Sequence, residues 1–226
     1  MSKTLPRIIE SVREELSNYH LTDDFPMPYE YLVDKAIDAR EALIKEEIDA
    51  GKTLDSRYYQ KVCCLEVTCH REGCTVNGQF IPSGSVTWEV KLPKLISGVG
   101  WLSILYLGTD EFKKSFTRKE FDAWMNLSGN IWTSTNPTFA VVGNSAYLKN
   151  MPTSDFKYIC AILLLSNPVD SCEWKEDENE FPVPSDYKLQ LLMVKDILSK
   201  FGVPKDKQDN ATDPGAIAQP NTKENE

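Results

Sequence analysis

The chain has 226 residues, with 34 acidic against 25 basic side chains and a formal net charge of −9. That balance opposes adsorption to phosphate backbones or anionic lipid, which need positive charge, and so argues against a sequence-reading DNA binder. It still lets DNA pass close by without sticking. The 41% hydrophobic fraction is enough for one sizeable core, and no segment approaches the ~18–20 consecutive apolar residues a membrane-spanning helix needs.

Residues 1–61 read as a helical region. Thr4 can cap a helix with Pro6 in its first turn, and Ile8, Ile9, Val12, Leu16 and Tyr19 then recur at the spacing of one apolar stripe. After Pro26-Met27-Pro28 a longer helix carries Leu32, Ala36, Ala39 and Leu43 beside Val33, Ile37, Ile44 and Ile48, until Gly51 offers a stop. Its wide stripe predicts an αα-hairpin whose remaining apolar face packs on the following domain or on a neighbouring subunit. Asp55 then caps a short turn through Tyr58 and Tyr59.

From about 62 to 166 the period alternates, within a central β-rich domain of 62–183. Cys63, Leu65, Val67 and Cys69 share one side of a strand, and Val86, Trp88, Val90 and Leu92 share one side of another. Ser103 to Leu107 is a third, Phe139–Val142 and Ser145–Leu148 form a hairpin through Gly143-Asn144, and Tyr158–Leu165 is a buried strand. Thr117 and Glu120 match a capping box, with Phe116 and Phe121 as its staple, which predicts a helix over 118–125. Asp170 to Glu180, with six acids and one lysine, reads as a solvated loop or negative face. Pro184 and Ser185 open a last helix, 184–202, built on Leu189, Met193, Val194, Ile197, Leu198 and Phe201. The polar tail 203–226 lacks aromatic residues and is expected to be ordered only by partners. The fold class is therefore α+β: an N-terminal amphipathic helical hairpin, a central, mainly antiparallel β domain with a short inserted helix, a C-terminal helix and an extended tail.

Little in the sequence points to chemistry. Cys64, Cys69, His70, Cys74 and Cys172 could converge on a metal, but a single Cys-x4-Cys without a second pair is not zinc spacing, and no metal or cofactor is expected. The N-terminus lacks the basic-then-apolar pattern of a secretory signal, so the protein is expected to stay where it is made. The six unevenly spaced cysteines in a chain too long to need staples then predict reduced thiols and no disulfide. There is no nucleophile elbow or phosphate loop, and His20 and His70 are the only imidazoles. Gly98-x-Gly100 reads as a turn, and Asp23-Asp24 and Asp177-Glu178 as solvated carboxylates. No catalytic residue is assigned, and the protein is read as a non-enzyme. Candidate interface residues are Ile8, Val12, Leu16, Ile37, Ile44 and Ile48 on the helices, with Trp132 and Trp174, which stand in polar surroundings.

Several segments, taken in order, resemble the head-to-tail connector, or neck ring, proteins of crAss-like tailed bacteriophages. They are Leu21-Thr22-Asp23-Asp24-Phe25, Arg40 to Lys45, Leu54-Asp55 with Tyr58-Tyr59-Gln60, and Leu92-Pro93-Lys94-Leu95-Ile96. Ile104 to Asp110, Tyr147-Leu148-Lys149-Asn150 and Phe181-Pro182-Val183-Pro184-Ser185 continue the series. The resemblance implies a virion structural protein, made in the host bacterial cytoplasm, that forms a ring of the twelve-fold type in the neck at the portal vertex. Its partners would be further copies of itself, the portal protein and the adjoining neck or tail proteins, with DNA passing nearby and no membrane. Two other readings compete: a non-viral interaction module without a closed ring, which neighbouring genes would separate, and a small zinc-stabilised or catalytic domain, which metal analysis would separate.

Overall fold

A computed structural model describes residues 3–17, 27–70, 74–76, 79–81, 87–109, 113–125, 136–151, 157–175 and 178–200. The chain divides into two compact units, residues 1–43 with 183–226 and residues 44–182. The architecture is α+β, with helices at both ends of the chain and a mostly antiparallel sheet between them.

The first unit holds α1 (Leu5–Ser17), α2 (Tyr29–Asp49) as far as Leu43, and the C-terminal helix α4 (Asp186–Lys200). Leu5, Ile8, Ile9, Val12 and Leu16 recur every three or four residues on α1, and all are buried. α1 packs against α4, which turns Leu189, Met193, Val194, Ile197 and Leu198 inward. The close packing partner of α1 thus comes from the far end of the sequence. The Lys3 backbone N–H donates to Asp186 (2.8 Å), and the Lys188 N–H to the Ser185 hydroxyl (3.3 Å), which caps α4 where Pro184-Ser185 announced it. Arg40 is fully buried on α2, and desolvation pulls its guanidinium down to about 9.

In the second unit α2 ends at Gly51, whose left-handed backbone (φ +69°) lets Gly51 and Lys52 donate back to Ile48 and Glu47. Asp55 caps the following turn by accepting from the Arg57 N–H (2.9 Å). Seven strands then form one sheet. They are β1 (Gln60–His70), β4 (Thr87–Lys91), β5 (Ile104–Gly108), β6 (Thr117–Arg118), β7 (Thr138–Val142), β8 (Ser145–Lys149) and β9 (Tyr158–Leu163). Their order is β5-β9-β1-β4-β8-β7-β6, while β2 (Cys74–Val76) and β3 (Gln79–Ile81) make a separate hairpin. The Gly143-Asn144 hairpin is present, with Gly143 at φ +59°.

The two ends of this strand order meet. Gly108 of β5 bridges Ser115, the Phe116 N–H donates to Leu107 (2.8 Å), and the next residue, Thr117, donates to Pro137 (2.9 Å) and Lys119 to Phe139 (2.8 Å). One short segment thus stitches the first edge to the last, and the sheet curls into a barrel without long open edges. The core inside gathers Val62, Leu65, Val90, Leu107, Leu148 and Leu163 from its strands.

Two expectations are corrected. Residues 117–119 pair with β7 instead of opening a helix, so the inserted helix α3 spans Phe121–Met125, not 118–125. Phe116 and Phe121 form no staple, since Phe116 enters the barrel core and Phe121 packs with Trp124 and Ala140 in another cluster. The ladder that closes the barrel outweighs a cap whose worth is ~1 kcal/mol. The predicted absence of disulfides also fails, because Cys63 is bonded to Cys160 and Cys64 to Cys172. The β1–β9 register shifts between Val62 and Leu65. This bulge falls on the adjacent cysteines, so one reaches the next strand and the other the loop beyond it. Chain length, the ground for expecting none, does not sense such local proximity.

Candidate interaction surface

The described residues contain no cluster of three or more histidines, cysteines or carboxylates able to hold a metal. Of the thiols weighed for zinc, Cys64 and Cys172 are joined to each other and Cys69 is a half-buried free thiol on β1. His20, Asp23, Asp24, Trp132, Asp177 and the tail lie outside the described residues, as do the side chains of His70 and Cys74. Glu178 is engaged by Lys175 (2.8 Å); Gly98 sits in a turn and Gly100 opens a short 3-10 helix, Gly100–Ser103, both with positive φ.

The apolar candidates are largely consumed by their own chain. Ile8, Val12 and Leu16 are buried in the first unit and Ile37 is half-buried. Ile44 is buried and Ile48 half-buried in the second unit, beside Tyr58, Ile96, Val99 and Leu164. Trp174 is half-buried, and its indole N–H is shut away from solvent without an acceptor among the described residues. It lines a cleft of about 440 Å³ with Tyr59, Lys61, Glu173, Glu178 and Glu180. Lys61 lies 3.9 Å from Glu173, and the Cys64–Cys172 bond pins the loop that carries Trp174.

The exposed apolar surface lies elsewhere. Where the chain enters β5, Trp101 is 52% exposed, Leu102 47% and Leu105 60%. The Arg118 guanidinium stacks 4.3 Å from the Trp101 ring centroid and faces the carbonyls of Gly100 and Trp101 at 3.5 and 3.4 Å. A tryptophan and an arginine held on each other at the barrel seam have the chemistry of a protein contact point rather than of a reactive pocket. Sequence reasoning missed this patch because Ile104-Leu105-Tyr106-Leu107 is a continuous apolar run, with no alternation to say which side chain faces out. On α4, Tyr187 and Leu192 are also exposed.

No described helix is long and apolar enough to cross a membrane. A comparison with curated proteins finds no match. The crAss phage family model described as phage tail ring protein 2 matches residues 7–216. With that match covering nearly all of its length and both units, the chain belongs to this family of ring proteins of the phage virion.

Proposed function

We propose that this protein forms a ring in the phage neck that joins the portal to the tail and surrounds the channel through which DNA passes. Membership in a tail ring family carries the reading. The net charge of −9 supports it, since a negative wall repels the phosphate backbone and lets DNA slide. The exposed Trp101, Leu102 and Leu105 support it as well, because such side chains gain by burial against a neighbour.

The test is co-expression with the portal protein of the same phage, followed by electron microscopy of the product and of intact particles. A closed ring seated between portal and tail is the expected result. A chain that stays monomeric by mass and binds neither the portal nor an adjoining ring protein would overturn the reading.

A further inference from the structure

Cys63 and Cys64 are neighbours in sequence, yet the bonds they make lie in opposite surroundings. Cys160, the partner of Cys63, is 1% exposed and sits between the buried Ile159 and Ala161 on β9, with β1 paired on one side and β5 on the other. Cys64 and its partner Cys172 are both exposed. A thiolate must reach a sulfur to exchange with it, so access separates two bonds that chain position does not. We propose that Cys64–Cys172 is a redox-sensitive clasp, opened by low-molecular-weight thiols and closed by their disulfides, whereas Cys63–Cys160 is a protected staple of the barrel. The inference goes beyond the ring reading and does not depend on it.

What the clasp holds is the segment between Ser166 and Phe181, which brings Trp174, Glu173, Glu178 and Glu180 to the cleft. Both ends of that segment are fixed, since the Ser166 N–H donates to the Lys94 carbonyl (2.8 Å) and Phe181 is 1% exposed. Its non-covalent ties to β1 include the Ser171 hydroxyl, which donates to the Lys61 carbonyl (3.0 Å), and the Lys61–Glu173 pair at 3.9 Å, whose side chains are both about half exposed. A single hydrogen bond and an exposed ion pair are weak beside a covalent bond. Cys64–Cys172 is therefore the strongest tether of this segment to the sheet. Opening proceeds by exchange. The thiolate of a small thiol attacks one sulfur, forms a mixed disulfide and expels the other cysteine as a thiolate, which takes up a proton. A second small thiol then displaces the first, so the two electrons gained by Cys64 and Cys172 are those lost as the small-molecule disulfide forms. Closing is the reverse, with that disulfide as oxidant. The buried Cys63–Cys160 bond keeps β1 joined to β9 throughout.

The test uses the full chain, oxidised with glutathione disulfide and then equilibrated at constant pH with graded ratios of reduced to oxidised glutathione. Free thiols are trapped with N-ethylmaleimide and assigned by fragment-ion mass spectrometry, and trypsin cleavage after the exposed Lys175 reports release of the segment. Cys64 and Cys172 should be fully labelled at a ratio that leaves Cys63 and Cys160 unlabelled, with cleavage after Lys175 severalfold faster and melting still cooperative. Cys172→Ser should show that fast cleavage without any thiol and gain nothing further from it, while Cys69→Ser should behave as the wild type does. Labelling of both pairs together or in the reverse order, labelling of neither until the chain unfolds, or opening of Cys64–Cys172 with cleavage unchanged would each overturn the clasp. So would failure of Cys64 and Cys172 to pair during oxidation.

Discussion

Two single residues show how little tolerance the second unit has at its seams. Lys149 is 4% exposed. Its ammonium lies 4.3 Å from the centroid of the Trp124 ring and donates to the carbonyls of Trp124 (3.0 Å) and Met125 (3.2 Å), closing the C-terminus of α3. Burial lowers its pKa, yet removing the donor leaves two helix-end carbonyls unanswered. Lys149→Met should therefore cost ~1–3 kcal/mol in urea unfolding, against less than ~0.5 for Lys119→Met on the exposed surface. Gly108 is the other case. A Cβ there would strike the backbone oxygen of Lys114 and the Tyr106 hydroxyl, where β5 meets the closing segment. Backbone cannot step aside as a flexible side chain can, so Gly108→Ala should destabilise by ~1–3 kcal/mol and loosen the barrel seam. Hydrogen exchange at Thr109 and Phe116 reads that loosening directly.

At the scale of elements, α2 and α4 are joined by charge inside the first unit. Asp196 lies 2.9 Å from Lys35 and 3.3 Å from Lys200, and both ammonium groups approach the Tyr31 ring. The hydrogen bond from Lys35, followed by that from Lys200, holds the Asp196 carboxyl below its ordinary 3.8. A carboxylate depressed in the folded state contributes stability that is full above 3.8 and lost as the pH falls through the depressed value. Melting temperature should be insensitive to this group across neutral pH and should decline in acid below about 3.8. Asp196→Asn should flatten that decline. Because Asp196 is 44% exposed, the effect should be modest and should shrink in high salt.

The bulge on β1 makes a second prediction at the same scale. Its two disulfides join residues 97 and 108 apart in sequence, and closing loops of that size is worth ~2–4 kcal/mol per bond in typical proteins. Thermal unfolding with and without reductant should show a clear drop in melting temperature, and Cys64→Ser, which removes one of the two bonds, a smaller one. Cys69→Ser should leave it unchanged.

For the whole molecule, the first unit is assembled from both ends of the chain. Ending the chain before Asp186 would remove the surface that covers Leu5, Ile8, Val12 and Leu16. Loss of helical circular dichroism well beyond the 15 residues of α4 is the expected outcome. Much of the fold was readable in advance because it is local. The three-to-four spacing of Ile8, Val12 and Leu16, the alternation of Trp88, Val90 and Leu92, the Gly143-Asn144 turn and the Gly51 stop are each fixed by backbone geometry within one element. The exposed Trp101, Leu105 and Arg118 were not legible, because an unbroken apolar run does not say which side chain faces out.

The sequence by itself determined the element types, the α+β class, the acidic balance and, through segments recurring in a set order, the kinship to phage ring proteins. Tertiary structure alone decided that Thr117 joins a strand, that adjacent cysteines reach different partners, and that a barrel closes at Gly108. It alone decided which leucine of an apolar run faces outward. The reason is the same in each case. Propensity and periodicity act over a few neighbours, whereas pairing across a sheet joins positions far apart in the chain, and a ladder of hydrogen bonds outweighs a single local preference.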